Sequence, residues 1–140
     1  MKKYTIYSDG GARPNPGKAI SLIKVTPEDF IPSHEYTVYP HLTNNQAEYQ
    51  ALLMAFRKAQ LILDTNPSAE FTFLTDSNLI IGHLVRGWRI KKNHGLVTKA
   101  RELYRELKQK TNITLKYIPR DKNIAGQLLD KHFQEFANQL

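Results

Sequence analysis

The apolar residues first change period near residue 45, and that change sets the fold class. Before it lie three short segments, 4–7, 19–25 and 35–39, rich in β-branched and aromatic side chains. Such side chains suit a pleated surface, so each segment reads as a strand. Ser8-Asp9-Gly10-Gly11 reads as the stop of the first strand, and residues 12–17 are dense in turn formers. Three strands on short links suggest an antiparallel meander. After the change, Ala47, Ala51, Leu52, Ala55, Phe56 and Ala59 repeat at helical spacing, giving a helix over 45–63. A largely apolar strand follows at 70–75, then a short helix at 77–85 and a longer one from about residue 95. Residues 113–118 read as a fifth strand, and Ile124, Leu128, Leu129, Phe133 and Phe136 trace a last helix. The order βββ-α-β-α-α-β-α predicts one α/β domain over residues 1–140. Strands separated by helices pair in parallel by crossover, and the first three pair antiparallel. The prediction is a mixed five-stranded sheet with helices on both faces.

Charge narrows the class further. The chain has 140 residues and a formal net charge of +7, and all of the excess falls in residues 71–140. Residues 86–110 hold nine basic and two acidic side chains. Such an imbalance points either to a polyanionic partner or to a solvated basic helix. The chain has no cysteine, which excludes a disulfide scaffold, a zinc ribbon and a thiol nucleophile. No stretch reaches the ~18 apolar residues of a membrane span. The basic N-terminus lacks the apolar region of a signal peptide. A cytoplasmic, monomeric protein is expected. The five histidines show no metal-ligand spacing, and neither a nucleophile elbow nor a phosphate loop is present.

Sites in open α/β sheets collect at the carboxyl ends of strands. Asp9 and Asp76 directly follow the first and fourth predicted strands, and Glu48 lies in the first turn of the long helix, beside its apolar face. Each acid also has a purely structural role open to it. Asp9 can belong to a turn, Glu48 can close a capping box with Asn45, and Asp76 can cap the helix that follows it. Convergence favours chemistry. Adjacent first and fourth strands bring Asp9 beside Asp76, and such charges repel unless a cation lies between them. Oxygen-only ligands suit Mg²⁺ or Mn²⁺.

Tyr7-Ser8-Asp9-Gly10-Gly11, Asn15-Pro16-Gly17, Thr43-Asn44-Asn45-Gln46-Ala47-Glu48 and Thr75-Asp76-Ser77 together resemble the motifs of type 1 ribonuclease H, in the same order and along nearly the whole chain. The resemblance implies a Mg²⁺-dependent endonuclease that cuts the RNA strand of an RNA/DNA hybrid, leaving a 5′-phosphate and a 3′-hydroxyl. Asp9, Glu48 and Asp76 match three of that family's four metal-binding acids. Two ions would clamp the scissile phosphate, one activating water and one stabilising the leaving 3′-oxygen. Glu48 would also accept from a ribose 2′-OH, the group that distinguishes RNA.

The fourth position departs from the pattern, in which an Asp follows an Asn by four residues. Strict register puts Gln127 there. A register shifted by a turn puts Asn123 there, at the helix mouth, and Asp130 lies one turn beyond Gln127. Asn123 is the favoured candidate, its amide oxygen being a weaker ligand than a carboxylate. The family's histidine loop is missing, and Arg120 is the candidate in its place. For substrate contacts, the resemblance implies Gly10 and Gly11, with Asn15, Asn44 and Gln46 reaching the minor groove and Thr43 on a DNA phosphate. It also implies Trp88 on a deoxyribose and Lys91 and Lys92 on the DNA strand. The competing readings are a hybrid-binding module with weak or no catalysis, since the fourth acid is replaced, and a domain cut from a reverse transcriptase. A full set of elements behind Met1 favours a stand-alone enzyme.

Overall fold

The computed structural model describes residues 2–138. Its elements are β1 (Lys3–Ala12), β2 (Gly17–Thr26), β3 (His34–Leu42), α1 (Asn44–Thr65), β4 (Glu70–Thr75), α2 (Asn78–Leu84), α3 (His94–Lys110), β5 (Ile113–Tyr117) and α4 (Ile124–Asn138), with one turn of 3-10 helix at Arg120–Lys122. The five strands form one sheet in the order β3-β2-β1-β4-β5. β1–β2 and β2–β3 are antiparallel, and β1–β4 and β4–β5 are parallel. This is the mixed sheet that the period change predicts.

The helices divide between the faces. α1, α2 and α3 cover one side, where Ile6, Phe56, Phe73, Ile80 and Leu107 are buried. Phe56 and Phe73 meet edge to face at 4.9 Å. Truncating a ring buried like Phe73 to alanine costs about 3–5 kcal/mol. α4 covers the other side, laying Ala125, Leu129 and Phe133 on Ile20 and Leu22 of β2. β2 is therefore buried on both faces, which is why its sequence reads as an apolar run without clean alternation.

β1 is longer than its sequence suggests. Asp9-Gly10-Gly11 does not end it. Pairing with β2 continues through Gly10↔Ser21, Gly11↔Ile20 and Ala12↔Ala19. Gly10 looks like a turn residue but serves a close approach. A Cβ at this position would lie 2.2 Å from the Ala47 carbonyl oxygen of α1. Only glycine lets α1 cross the strand at that distance. By contrast, the pairing of β1 with β4 stops at Tyr7↔Leu74. Beyond that point β1 runs on with one open edge. Continuing the register sets Asp9 level with Asp76, across a gap that β4 no longer fills.

Candidate active site

Asp9 lies inside β1, not after it, and is only 2% exposed. Asp76 follows β4, and Glu48 stands on the first turns of α1, both half-buried. One carboxylate oxygen from each lies within 4.8 Å of the others. The structural alternatives for these acids fall away. The capping box of α1 is Thr43 with Gln46, not Asn45 with Glu48. The Ser77 hydroxyl caps α2 by accepting from Ile80 N at 3.2 Å, so Asp76 does not. Glu48 and Asp76 are thereby left free of capping duty.

The electrostatics are unfavourable without a cation. Burial, and then the Asp76 charge, push the Asp9 carboxyl up to about 7. Burial, then Asp9 and Asp76, push Glu48 up to about 8, against a lowering hydrogen bond from Ser77. The Arg120 guanidinium is near enough to pull both down. Both oxygens of Asp9 are buried without a hydrogen-bond partner. Such an orphan is costly in a native interior. Space is also kept beside it, since a Cβ at Gly126 of α4 would stand 3.1 Å from Asp9 Oδ2. Unpartnered oxygens, an all-carboxylate donor set and a small-residue gap fit a hard divalent cation such as Mg²⁺ or Mn²⁺.

Asn123 is fully buried at the mouth of α4. Its Oδ1 accepts from Ala125 N at 3.1 Å, so it caps the helix. Its Nδ2 donates to Ser8 O at 3.0 Å and to Asp76 Oδ2 at 3.3 Å. The Ser8 carbonyl is one that β4 abandons, and Asn123 satisfies it. In this orientation the amide nitrogen, not the oxygen expected as a ligand, faces the acids. The capping bond claims the oxygen, so Asn123 steadies Asp76 by donation. Gln127 is exposed and reaches back to Asp121 O at 3.4 Å. Asp130 is paired with Arg13 and, at 3.6 Å, with Arg120. Neither joins the acid cluster.

Three hollows share Asn45 and form a groove that reaches Glu48. One of about 410 Å³ lies at Glu48, between Gly11, Arg13 and Arg120. One of about 510 Å³ is lined by Asn15, Thr43, Asn44 and Gln46. One of about 470 Å³ lies against Trp88, Lys91 and Lys92. The polar floor is tied together. Asn44 Oδ1 accepts from Ala12 N, and Asn44 N donates to Asn15 Oδ1. Gln46 Nε2 donates to Asn93 Oδ1 at 3.2 Å. Gly10 is buried against α1, so its first task is packing, while Gly11 is half-exposed. Trp88 lays its ring on Gly82 of α2, where a Cβ would overlap it at 2.0 Å, and stays 43% exposed. It is an anchor on one side and a groove wall on the other. Lys91 and Lys92 are exposed and form no ion pair among the described residues.

Sequence reasoning did not single out Arg13, Asn93 or Gly126, and it took Asn45 as a cap and not as a wall of the groove. The signal for Asn93 is its left-handed backbone (φ 57°) before α3, a conformation that asparagine tolerates. Gly126 carries no local signal, because its role depends on a strand more than a hundred residues away.

The RNase H family model matches residues 1–134. The chain belongs to the RNase H family. It is a ribonuclease H by fold and by descent. Its fold is similar to that of LC11-RNase H1, isolated from compost by a metagenomic approach. The identity is 30% and the TM-score 0.79, over 95% of this chain and 99% of that one. LC11-RNase H1 in complex with an RNA/DNA hybrid matches at 28% identity and TM-score 0.73, over 93% and 99%. RNase H1 of the halophilic archaeon Halobacterium salinarum matches at 26% identity and TM-score 0.73, over 95% and 98%. No match was found among curated protein sequences.

Proposed function

We propose that this RNase H hydrolyses the RNA strand of RNA/DNA hybrids at the Asp9–Glu48–Asp76 cluster with two divalent ions, giving 5′-phosphate and 3′-hydroxyl ends. The observation that carries the reading is Asp9, with two buried oxygens unpartnered among like charges. Asp9, Glu48 and Asp76 would hold Mg²⁺ or Mn²⁺, which supplies an activated water and offsets charge on the leaving oxygen. Glu48, at the groove side of the cluster, accepts a hydrogen bond from a ribose 2′-OH and so selects RNA. Asn123 holds Asp76 in place. Asn15, Asn44 and Gln46 meet the hybrid across its minor groove, Thr43 takes a DNA phosphate, and Gly11 lets the backbone come close. Trp88, Lys91 and Lys92 take the DNA strand by stacking and by phosphate contact. The hybrid in the LC11-RNase H1 complex supports this choice of substrate. Residues 1–140 act as one domain, as a monomer in the cytoplasm.

The donor orientation of Asn123 favours a second reading, a hybrid-binding module with weak catalysis. One assay separates the two. A hybrid labelled on the RNA strand is incubated with Mg²⁺, with Mn²⁺ and with chelator, and product ends are probed with phosphatase and kinase. Metal-dependent RNA cuts with 5′-phosphates support the enzyme. Binding without cuts in either metal supports the module.

A further inference from the structure

Away from the acids, the outer strand β3 meets α4 through two histidines. His34 Nε2 and His132 Nε2 stand 3.2 Å apart, although the residues are 98 positions apart in sequence. That distance hides the pair from any reading of spacing. Two nitrogens bound to one tetrahedral Zn²⁺ at 2.0–2.1 Å are about 3.3 Å apart. The pair is therefore already at bridging distance. The other ring nitrogen of His132, Nδ1, faces Glu135 Oε2 at 3.4 Å. A carboxylate on the far nitrogen fixes the tautomer that leaves Nε2 free to bind a metal. The Tyr36 ring packs on His132 with centroids 4.0 Å apart, and the His132 side chain is 13% exposed. The ring is thus held in orientation yet remains reachable.

We propose that His34 and His132 form a transition-metal site of the zinc class that ties β3 to α4, with Glu135 as a positioning residue. Imidazole nitrogens suit Zn²⁺, Cu²⁺ and Ni²⁺ and not Mg²⁺, so excess Mg²⁺ competes with Zn²⁺ at the carboxylate cluster without filling this site. A proton on His132 Nδ1, facing Glu135, leaves His132 Nε2 to accept from His34 Nε2. Binding moves the His34 proton to Nδ1, so the ion enters without net proton release from the pair. Lys24 and Lys131 lie near His34 and oppose a cation. Lys24 is itself paired with Glu28 at 2.6 Å, which offsets part of that charge. Two protein ligands leave two positions for water, so the ion exchanges freely.

The test uses the full chain in excess Mg²⁺. Zn²⁺ binding is measured by calorimetry, and melting temperature is followed with and without Zn²⁺. The wild type binds one Zn²⁺ and melts higher with it. His34→Gln and His132→Gln each weaken binding at least tenfold and remove the Zn²⁺-induced shift, while their metal-free melting shows that they fold. Glu135→Gln weakens binding severalfold without changing the stoichiometry. Absence of Zn²⁺ binding in the wild type, or a shift that survives in either histidine variant, overturns the proposal. Should a glutamine variant fail to fold, histidine ring signals of the wild type decide instead. Nitrogen resonances of His34 and His132 must move on adding Zn²⁺, and unmoved signals overturn the site.

Discussion

Asp9→Asn should destroy activity and, in chelator, make the protein more stable. The carboxyl is 2% exposed, and both of its oxygens lack partners. Burial and Asp76 raise it from an ordinary 3.8 to about 7. At ~1.4 kcal/mol per factor of ten in proton affinity, ionising it in the folded state costs a ceiling of about 4 kcal/mol. Water entering the cleft reduces this, and a gain of about 1–3 kcal/mol is expected from the neutral isostere. The sign follows from proton binding. Between pH 4 and 7 the folded chain keeps a proton on Asp9 that the unfolded chain has released, so the metal-free wild type loses stability as pH rises. Glu48, raised to about 8, extends the loss upward. The assay is urea unfolding in chelator at several pH values from 4 to 9. The advantage of Asp9→Asn should be near zero at pH 4, grow through pH 7 and then level. Adding Mg²⁺ should stabilise the wild type by mass action and leave the variant little changed. An Asp9→Asn variant that is less stable than the wild type at pH 8 in chelator would refute the reasoning.

Replacing both Lys91 and Lys92 by Gln should weaken hybrid binding and reduce the slope of log affinity against log salt by about 2, with turnover at saturating hybrid retained. Titration of binding against salt checks this. Asn123→Asp removes the donor to Ser8 O and adds a fourth charge beside Asp76. It should cost about 1–3 kcal/mol in chelator and shift the Mg²⁺ dependence of cleavage, whereas Gln127→Asp, on an exposed side chain, should do neither. Metal titrations of activity give the ranking. Gly10→Ala forces α1 off β1, because its Cβ would meet Ala47 O at 2.2 Å. A loss of about 2–3 kcal/mol in urea unfolding is expected, with lower activity because Glu48 moves with the helix.

What the sequence reveals and what it conceals have the same cause, the range of the forces involved. The strand-to-helix change near residue 45 is local side-chain periodicity, so the element order can be read directly. Asp9 and Asp76 are legible as a pair because a parallel crossover makes their strands neighbours. The length of β1 is not legible. Gly10 and Gly11 look like punctuation, and only the α1 crossing shows that a missing Cβ is needed inside the strand. Asn45 and Glu48 also have the spacing of a capping box. The choice of Thr43 with Gln46 depends on where the backbone leaves β3, a tertiary matter. At Asn123, composition shows an amide at the helix mouth. Which end of that amide faces the acids depends on Ser8, 115 residues earlier, whose carbonyl needs a donor.

The central claim is that one buried and two half-buried acids, mutually repelling, make a metal-dependent cutter of RNA in hybrids. The most direct measurement takes wild type and Asp9→Asn at equal concentration, with one hybrid labelled on the RNA strand, and reads binding and cleavage from the same Mg²⁺ samples. The account predicts that both proteins bind the hybrid and that only the wild type cuts it, with cutting lost in chelator. Full cleavage by Asp9→Asn, or wild-type cleavage that persists without a divalent ion, would contradict it.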